Sequence, residues 1–316
     1  MSKSSLLIFG ATGAIGSYIT AAIVNAKDQF ARIAIFTSPN TLETKGAEIT
    51  ALREKGVDII VGDLNRKEDV LRAFEGIDTV VSALGRGVIE TQIQLISWAS
   101  STPHIKRFLP SEYGTDIEYS PASANEKPHQ AKLKVRAALR ATGTKDLEYA
   151  FVVTGPYADV PFFLSKARNE TAGSFDVKSK SAVVVGDGEG RVSLVACADV
   201  GKFVVAALTH WDQARGRALI LNSFTTTPAE IVSEFEKQTG EKWSVEYTPL
   251  QKLKEAEKEA WEKGAPEATG FTLRRIWAEG GTLYERRDNG DIGVEDGEVV
   301  SLEEAVKEAI RAQLKK

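Results

Sequence analysis

Cysteine and histidine are scarce in this chain: of 316 residues, one is cysteine and three are histidine. The lone cysteine, Cys197, excludes an intramolecular disulfide and fits a reducing compartment. It sits in a β-like run, VSLVACADV, where a free thiol is expected to be buried and inert. His104, His129 and His210 are scattered, and none belongs to a HExxH or His/carboxylate pattern, so no metal site is expected. No GxSxG elbow occurs either. The chain opens MSKSSLLIFGATG and enters a strand within a few residues. Its apolar run is too short for a signal segment or a membrane span. A formal net charge of −4 leaves no electrostatic footprint for nucleic acid or an anionic membrane. These absences lead us to expect a cytoplasmic protein, monomeric or homodimeric, whose partner is a small-molecule substrate.

What is present is the mixture of an ordinary globular chain, 42% hydrophobic and 27% charged. It is long enough for one large α/β domain, or for a large and a small one. In the first half, LLIF (6–9), RIAIF (32–36), VDIIV (57–61), DTVVS (78–82), KRFLP (106–110) and LEYAFVV (147–153) read as strands. Helical patterns at 13–26, 43–55, 67–74, 92–100 and after Pro128 separate them. Near-continuous apolar strands spaced by single helices predict a Rossmann-type α/β fold, a doubly wound parallel sheet with a smaller α/β substrate lobe. The nucleotide-binding domain is expected over 1–155, completed by about 191–222, with the lobe at about 156–190 and 223–316. In the second half, SAVVVG (181–186) and RVSLVAC (191–197) look like strands paired around a GDGEG turn. ADVGKFVVAAL reads as a helix with Asp199 near its start, and RALIL (217–221) as a strand able to return to the main sheet. Helices follow at 228–238 and 250–262, and a last one begins at a Ser301/Glu304 capping box.

GATGAIG (10–16) follows the first strand and opens the first helix. Gly10, Gly13 and Gly16 let the chain turn tightly, admit a pyrophosphate against the backbone and pack helix on strand. Backbone N–H groups at the helix start then face the phosphates. Thr12 and Ile15 of this loop, and Ala83 and Leu84 after the fourth strand, complete the expected dinucleotide contacts. After the second strand, IFTSPN carries no carboxylate of the kind that holds NAD ribose hydroxyls. Thr37 and Ser38 tolerate a 2′-phosphate and Lys45 supplies a charge, so NADP (NADPH) is the expected cofactor. Asp63 is read either at the adenine end or as a helix cap.

None of the seven tyrosines has a lysine four residues later, so the tyrosine–lysine pair of short-chain dehydrogenases is missing. The residue four before Lys132 is Pro128, which carries no proton to give. Ala131, Val135, Ala138, Leu139 and Thr142 form one helix face, with Lys132 and Lys134 flanking it on opposite sides; periodicity does not choose between them.

Gly10–Gly16, SALGRGV (82–88) and IKRFLPSEYG (105–114) together resemble the isoflavone reductase-like family, which belongs with the NmrA-like atypical short-chain dehydrogenases. KLKVRAALRATG, LEYAFVVTGPYAD, VVGDGEGR and ADVG extend the likeness over roughly 6–201. The resemblance implies that Lys132, first lysine of the K-x-K-V-R segment, is the catalytic acid/base of an NADPH-dependent reductase acting on a small aromatic substrate. Ser111 is placed to hydrogen-bond substrate or nicotinamide, or to cap its own turn. Tyr157, Phe162 and Phe163 form either an aromatic substrate wall or plain packing. Two departures stand out: the family's arginine after the second strand is absent, and TGPYADVPFF replaces its S-N-x-F-A-G-Y-F segment. Two other readings remain, a non-catalytic NmrA-like regulator that senses the dinucleotide for a protein partner, and a quinone reductase.

Overall fold

In a computed structural model of the chain, residues 3–142, 147–159, 162–167 and 169–315 are described. Gly143 of the lysine-bearing segment, and Val160 and Pro161 of TGPYADVPFF, lie outside them. Strands β1 (Ser5–Phe9), β2 (Arg32–Thr37), β3 (Asp58–Val61), β4 (Thr79–Ser82), β5 (Arg107–Leu109), β6 (Glu148–Tyr149) and β7 (Phe151–Val153) occupy the first half. Between them run α1 (Gly16–Asn25), α2 (Pro39–Thr44), α3 (Gly46–Glu54), α4 (Lys67–Ala73), α5 (Thr91–Ser100) and α6 (Gln130–Thr142). The main sheet is parallel throughout, in the order β3-β2-β1-β4-β5-β6. It is the α/β, Rossmann-type sheet expected, with apolar side chains alternating to both faces. Leu6 and Ile8 join one core with Ile19 and Ile23 of α1, while Leu7 and Phe9 join the other with Leu95 of α5 and Leu139 of α6.

The remaining elements are β8 (Ser174–Asp176), β9 (Ser181–Val185), β10 (Val192–Leu194), α7 (Cys197–Thr209), α8 (Trp211–Ala214), β11 (Ala218–Ile220) and β12 (Phe224–Thr226). After these come α9 (Pro228–Thr239), β13 (Ser244–Thr248), α10 (Leu250–Glu262), α11 (Ala268–Ala278) and α12 (Leu302–Leu314). Helix α7 packs against the β1 face through Val200, Phe203 and Val204, and β11 lies parallel to β7. β13, β9 and β8 form a three-stranded sheet that shares a core with α9 and α12.

Four local expectations are corrected. LEYAFVV is two strands: it breaks at Ala150, so that β6 stays on β5 while β7 takes β11 as its partner. The pattern at 43–55 is two helices, because Ser38 caps a short one that ends at Lys45 before α3 begins. β9 and β10 do not pair with each other; β9 takes β13 and β8, and β10 takes β12. The GDGEG segment, with Gly186 and Gly188 at positive φ, hands the chain from one sheet to another. Cys197 starts α7 rather than ending a strand; it is buried, and burial pushes its thiol pKa up. The Ser301/Glu304 capping box forms as expected. Among the described residues no helix is long and apolar enough to cross a membrane.

Candidate active site

The glycine loop sits at the carboxyl end of β1, the end where open parallel sheets bind ligands. Gly10 has φ +74°, and a Cβ there would lie 2.5 Å from the Ala83 carbonyl oxygen. At Gly16 a Cβ would lie 1.9 Å from the Gly10 carbonyl oxygen, so no side chain fits. Gly13 donates to Gly10 O at 2.9 Å and accepts from Ser17 N at 2.9 Å, closing the loop onto α1. This bare backbone at a helix start fits the pyrophosphate of a dinucleotide. Lys45 reaches across to donate to the Thr12 carbonyl, which brings its charge to the loop. Thr37, at the end of β2, keeps a buried hydroxyl with no partner among the described residues. Ser38 is engaged in capping α2, its oxygen accepting from Thr41 N at 3.1 Å. Asp63 is exposed and accepts from Asn65 N at 2.9 Å, so its carboxylate holds a turn.

A cleft of about 430 Å³ opens beside this loop. Ala14 and Ile15 line its glycine-loop end, and Leu84, Ser111, Tyr113, Lys132 and Tyr157 its interior. Lys132 projects from the first turn of α6 and donates to the Glu112 carbonyl oxygen. A Cβ on Gly114 would come 3.6 Å from its nitrogen. Area alone leaves the side chain half-buried, but protein surrounds the ammonium. Desolvation by that burial, against the opposing pull of Glu112, lowers its pKa to about 8. Lys134 is exposed and pairs with Glu90 at 2.8 Å, a surface contact of small energetic weight. The two lysines that periodicity left equivalent thus have different surroundings.

What holds Lys132 in place is an ion pair that sequence reasoning did not single out. Arg136, one turn further along α6, is 1% exposed and bidentate to the equally buried Glu112, at 2.9 and 3.2 Å. It also meets Glu118 at 2.6 Å and Asp116 at 3.3 Å, and stacks over Phe151 at 4.7 Å. The signal was available: the arginine of K-x-K-V-R lies at i+4 from Lys132, and the glutamate belongs to LPSEYG.

Ser111 donates its hydroxyl to Leu84 O at 2.9 Å, and its N–H donates to the buried Gln92 at 2.8 Å. Its proton is therefore committed to the turn, leaving the oxygen lone pairs toward the cleft. Tyr157 donates to the Tyr113 carbonyl and packs edge-on against Phe162, with ring centroids 5.1 Å apart. Phe163 points elsewhere, into the lobe core against Phe175 and Trp277, and does not line the cleft. The third aromatic wall is Trp277 of α11, joined by Leu273; nothing in the sequence marked either. Arg274 lies over the Phe163 and Trp277 rings and donates to Phe162 O at 3.2 Å, and burial lowers its pKa to about 10. The charged α10 packs on α11 through Leu253, Ala260, Ala268 and Phe271, and no α10 residue lines the cleft. Among the described residues no cluster of His, Cys, Asp and Glu is arranged to hold a metal ion.

The chain is similar to an isoflavone reductase homolog of Arabidopsis thaliana, 28% identical over 79% of this chain and 80% of that protein. A phenylcoumaran benzylic ether reductase of Pyrus communis is also 28% identical, covering 80% of each. In architecture it is similar to leucoanthocyanidin reductase of Vitis vinifera, solved as a binary complex with NADPH. That match has a TM-score of 0.79, 24% identity, and covers 97% of this chain and 99% of that one. The NmrA-like family model matches residues 2–267, from before the first strand up to the residue preceding α11. This chain belongs to the NmrA-like family.

Proposed function

We propose that this protein is an NADPH-dependent reductase of a small aromatic substrate, a carbonyl, enone or benzylic ether, with Lys132 as its proton donor. The observation that carries the reading is Lys132 itself, an ammonium with a lowered pKa in a mainly apolar cleft that opens onto the glycine loop. Gly10, Thr12, Gly13, Ile15 and Gly16 would hold the pyrophosphate, with Ala83 and Leu84 flanking it. Thr37, Ser38 and Lys45 would receive the adenosine 2′-phosphate. When bound, NADPH supplies a hydride to an electrophilic carbon. Lys132 gives its proton to the oxygen on which negative charge develops, and the Glu112 carbonyl orients the ammonium beforehand. Tyr157, Phe162 and Trp277 hold the ring and exclude water. The names of the relatives, an isoflavone reductase homolog and a phenylcoumaran benzylic ether reductase, support this substrate class. The NADPH in the Vitis complex supports the cofactor.

NADPH oxidation against a panel of aromatic ketones, enones, benzylic ethers and simple quinones tests the reading. Turnover of a panel member should fall by about 10²–10⁴-fold in Lys132→Met. Turnover untouched by that change sinks the role of Lys132, and rapid, lysine-independent turnover confined to quinones would instead indicate a quinone reductase. Binding of NADPH with no turnover, and capture of a protein partner in one cofactor form only, would favour the sensor.

A further inference from the structure

We propose that Arg86 is an anion-recognising residue of the cleft, and that the substrate carries a carboxylate seated on its guanidinium. This rests on reading the cleft as a substrate site.

The cleft is electrostatically one-sided. Lys132 and Arg86 line it, and among the described residues no aspartate or glutamate does, in a chain whose formal net charge is −4. His129, the histidine in the lining, is neutral and leaves that balance unchanged. Its Nδ1 lies 2.9 Å from the Ser123 carbonyl, which only accepts, so Nδ1 carries the proton and Nε2 is bare. Burial lowers the His129 pKa, outweighing the opposing hydrogen bond to Ser123, and favours the neutral ring.

Like Arg274, whose guanidinium lies against the Phe163 and Trp277 rings, Arg86 has no acidic partner among the described residues, unlike Arg136 and Arg275. Arg136 is paired with Glu112, Asp116 and Glu118, and Arg275 with Glu126, Glu257 and Glu279. Arg86 donates Nη1 to the Pro128 carbonyl at 3.1 Å and, among the described residues, forms no other hydrogen bond and no ion pair. It is exposed by area in the open cleft, yet nearby protein desolvates the guanidinium enough to lower its pKa. A desolvated guanidinium with spare donors favours an anion, and its planar fork suits a carboxylate held by two N–H groups.

The proposed pyrophosphate cradle does not include it. The pyrophosphate cradle is the backbone of residues 10–16, whereas Arg86 is tied to Pro128, at the His129–Lys132 wall. Ile89, Ile117, Tyr157, Phe162 and Trp277 supply apolar surface around the two cations. An aromatic ring bearing a carboxylate meets both features at once.

Calorimetric titration of the NADPH-loaded protein with cinnamate and with cinnamamide, its neutral counterpart, tests the proposal. Cinnamate should bind at least about 10-fold more tightly than cinnamamide. Arg86→Met should erase the difference, Arg86→Lys should keep part of it, and Lys132→Met should leave a preference standing. Equal affinities in the wild-type protein, binding of neither probe, or a preference that survives Arg86→Met overturns it. So does a loss of NADPH affinity in Arg86→Met matching its loss of cinnamate, which would assign the arginine to the cofactor. If cinnamate binds through Arg86 while NADPH does not bind at all, the reductase reading fails and the anion site stands.

Discussion

At the scale of single residues, the same side-chain chemistry two positions apart has two fates. Lys134 stands in water beside Glu90, while Lys132 sits in a cleft where desolvation lowers its pKa to about 8. The protonated form is the donor, so kcat should be constant below about pH 8 and fall as pH rises through it, a profile absent in Lys132→Met. Stability gives a second readout of the same shift. A lysine whose folded pKa lies below its unfolded one costs stability while charged, and the cost is relieved as pH climbs from about 8 toward the ordinary value. Lys132→Met should therefore raise the melting temperature by a few degrees at pH 7, with the gap closing near pH 10 in a thermal scan. Lys45 carries a different prediction. Lys45→Ala should weaken NADPH binding by about 10-fold and NADH binding much less, measured by cofactor fluorescence.

At the scale of elements, helix α6 is anchored by charge as well as by its apolar stripe. Glu112, in the turn after β5, grips Arg136 with both oxygens, and the backbone of the same residue accepts from Lys132. Glu112→Ala removes the one fully buried carboxylate and leaves the guanidinium only the outer Asp116 and Glu118, so it should cost about 3 kcal/mol in denaturant unfolding, while the backbone carbonyl that Lys132 donates to is kept. Arg136→Met added to Glu112→Ala should recover part of the stability, because the buried guanidinium that lost its bidentate partner is gone. The main-sheet strands and most helices were legible from apolar runs and their spacing. The placement of β9 and β10 in separate sheets was not, because two apolar runs around a glycine-rich turn fit a hairpin and a crossing between sheets equally well. β9 alternates half-buried and buried residues while β10 is wholly buried, and partners far along the chain set that difference.

At the scale of the whole molecule, the cleft is assembled from distant stretches: the glycine loop, the turns after β4 and β5, α6, the segment after β7, and α11. A ligand that bridges these pieces binds only the folded chain and stabilises it by mass action. NADPH at 100 times its dissociation constant should add about 2.7 kcal/mol of stability, read as a rise in melting temperature larger than that with equimolar NADH. The family match runs only to residue 267, yet Leu273 and Trp277 beyond it line the cleft.

The amino-acid sequence by itself determined the parallel sheet, the glycine loop and the position of a candidate lysine. The first two depend on local periodicity and on glycines placed where no side chain fits, whereas the lysine was marked by the resemblance of its K-x-K-V-R segment. Tertiary structure alone decided which lysine is desolvated, that Phe163 faces the lobe core, and that Trp277 completes the wall. It also decided that Arg86 lines the cleft without an acidic partner. Desolvation and charge pairing depend on what surrounds a side chain in three dimensions, and those neighbours lie up to scores of residues away along the chain.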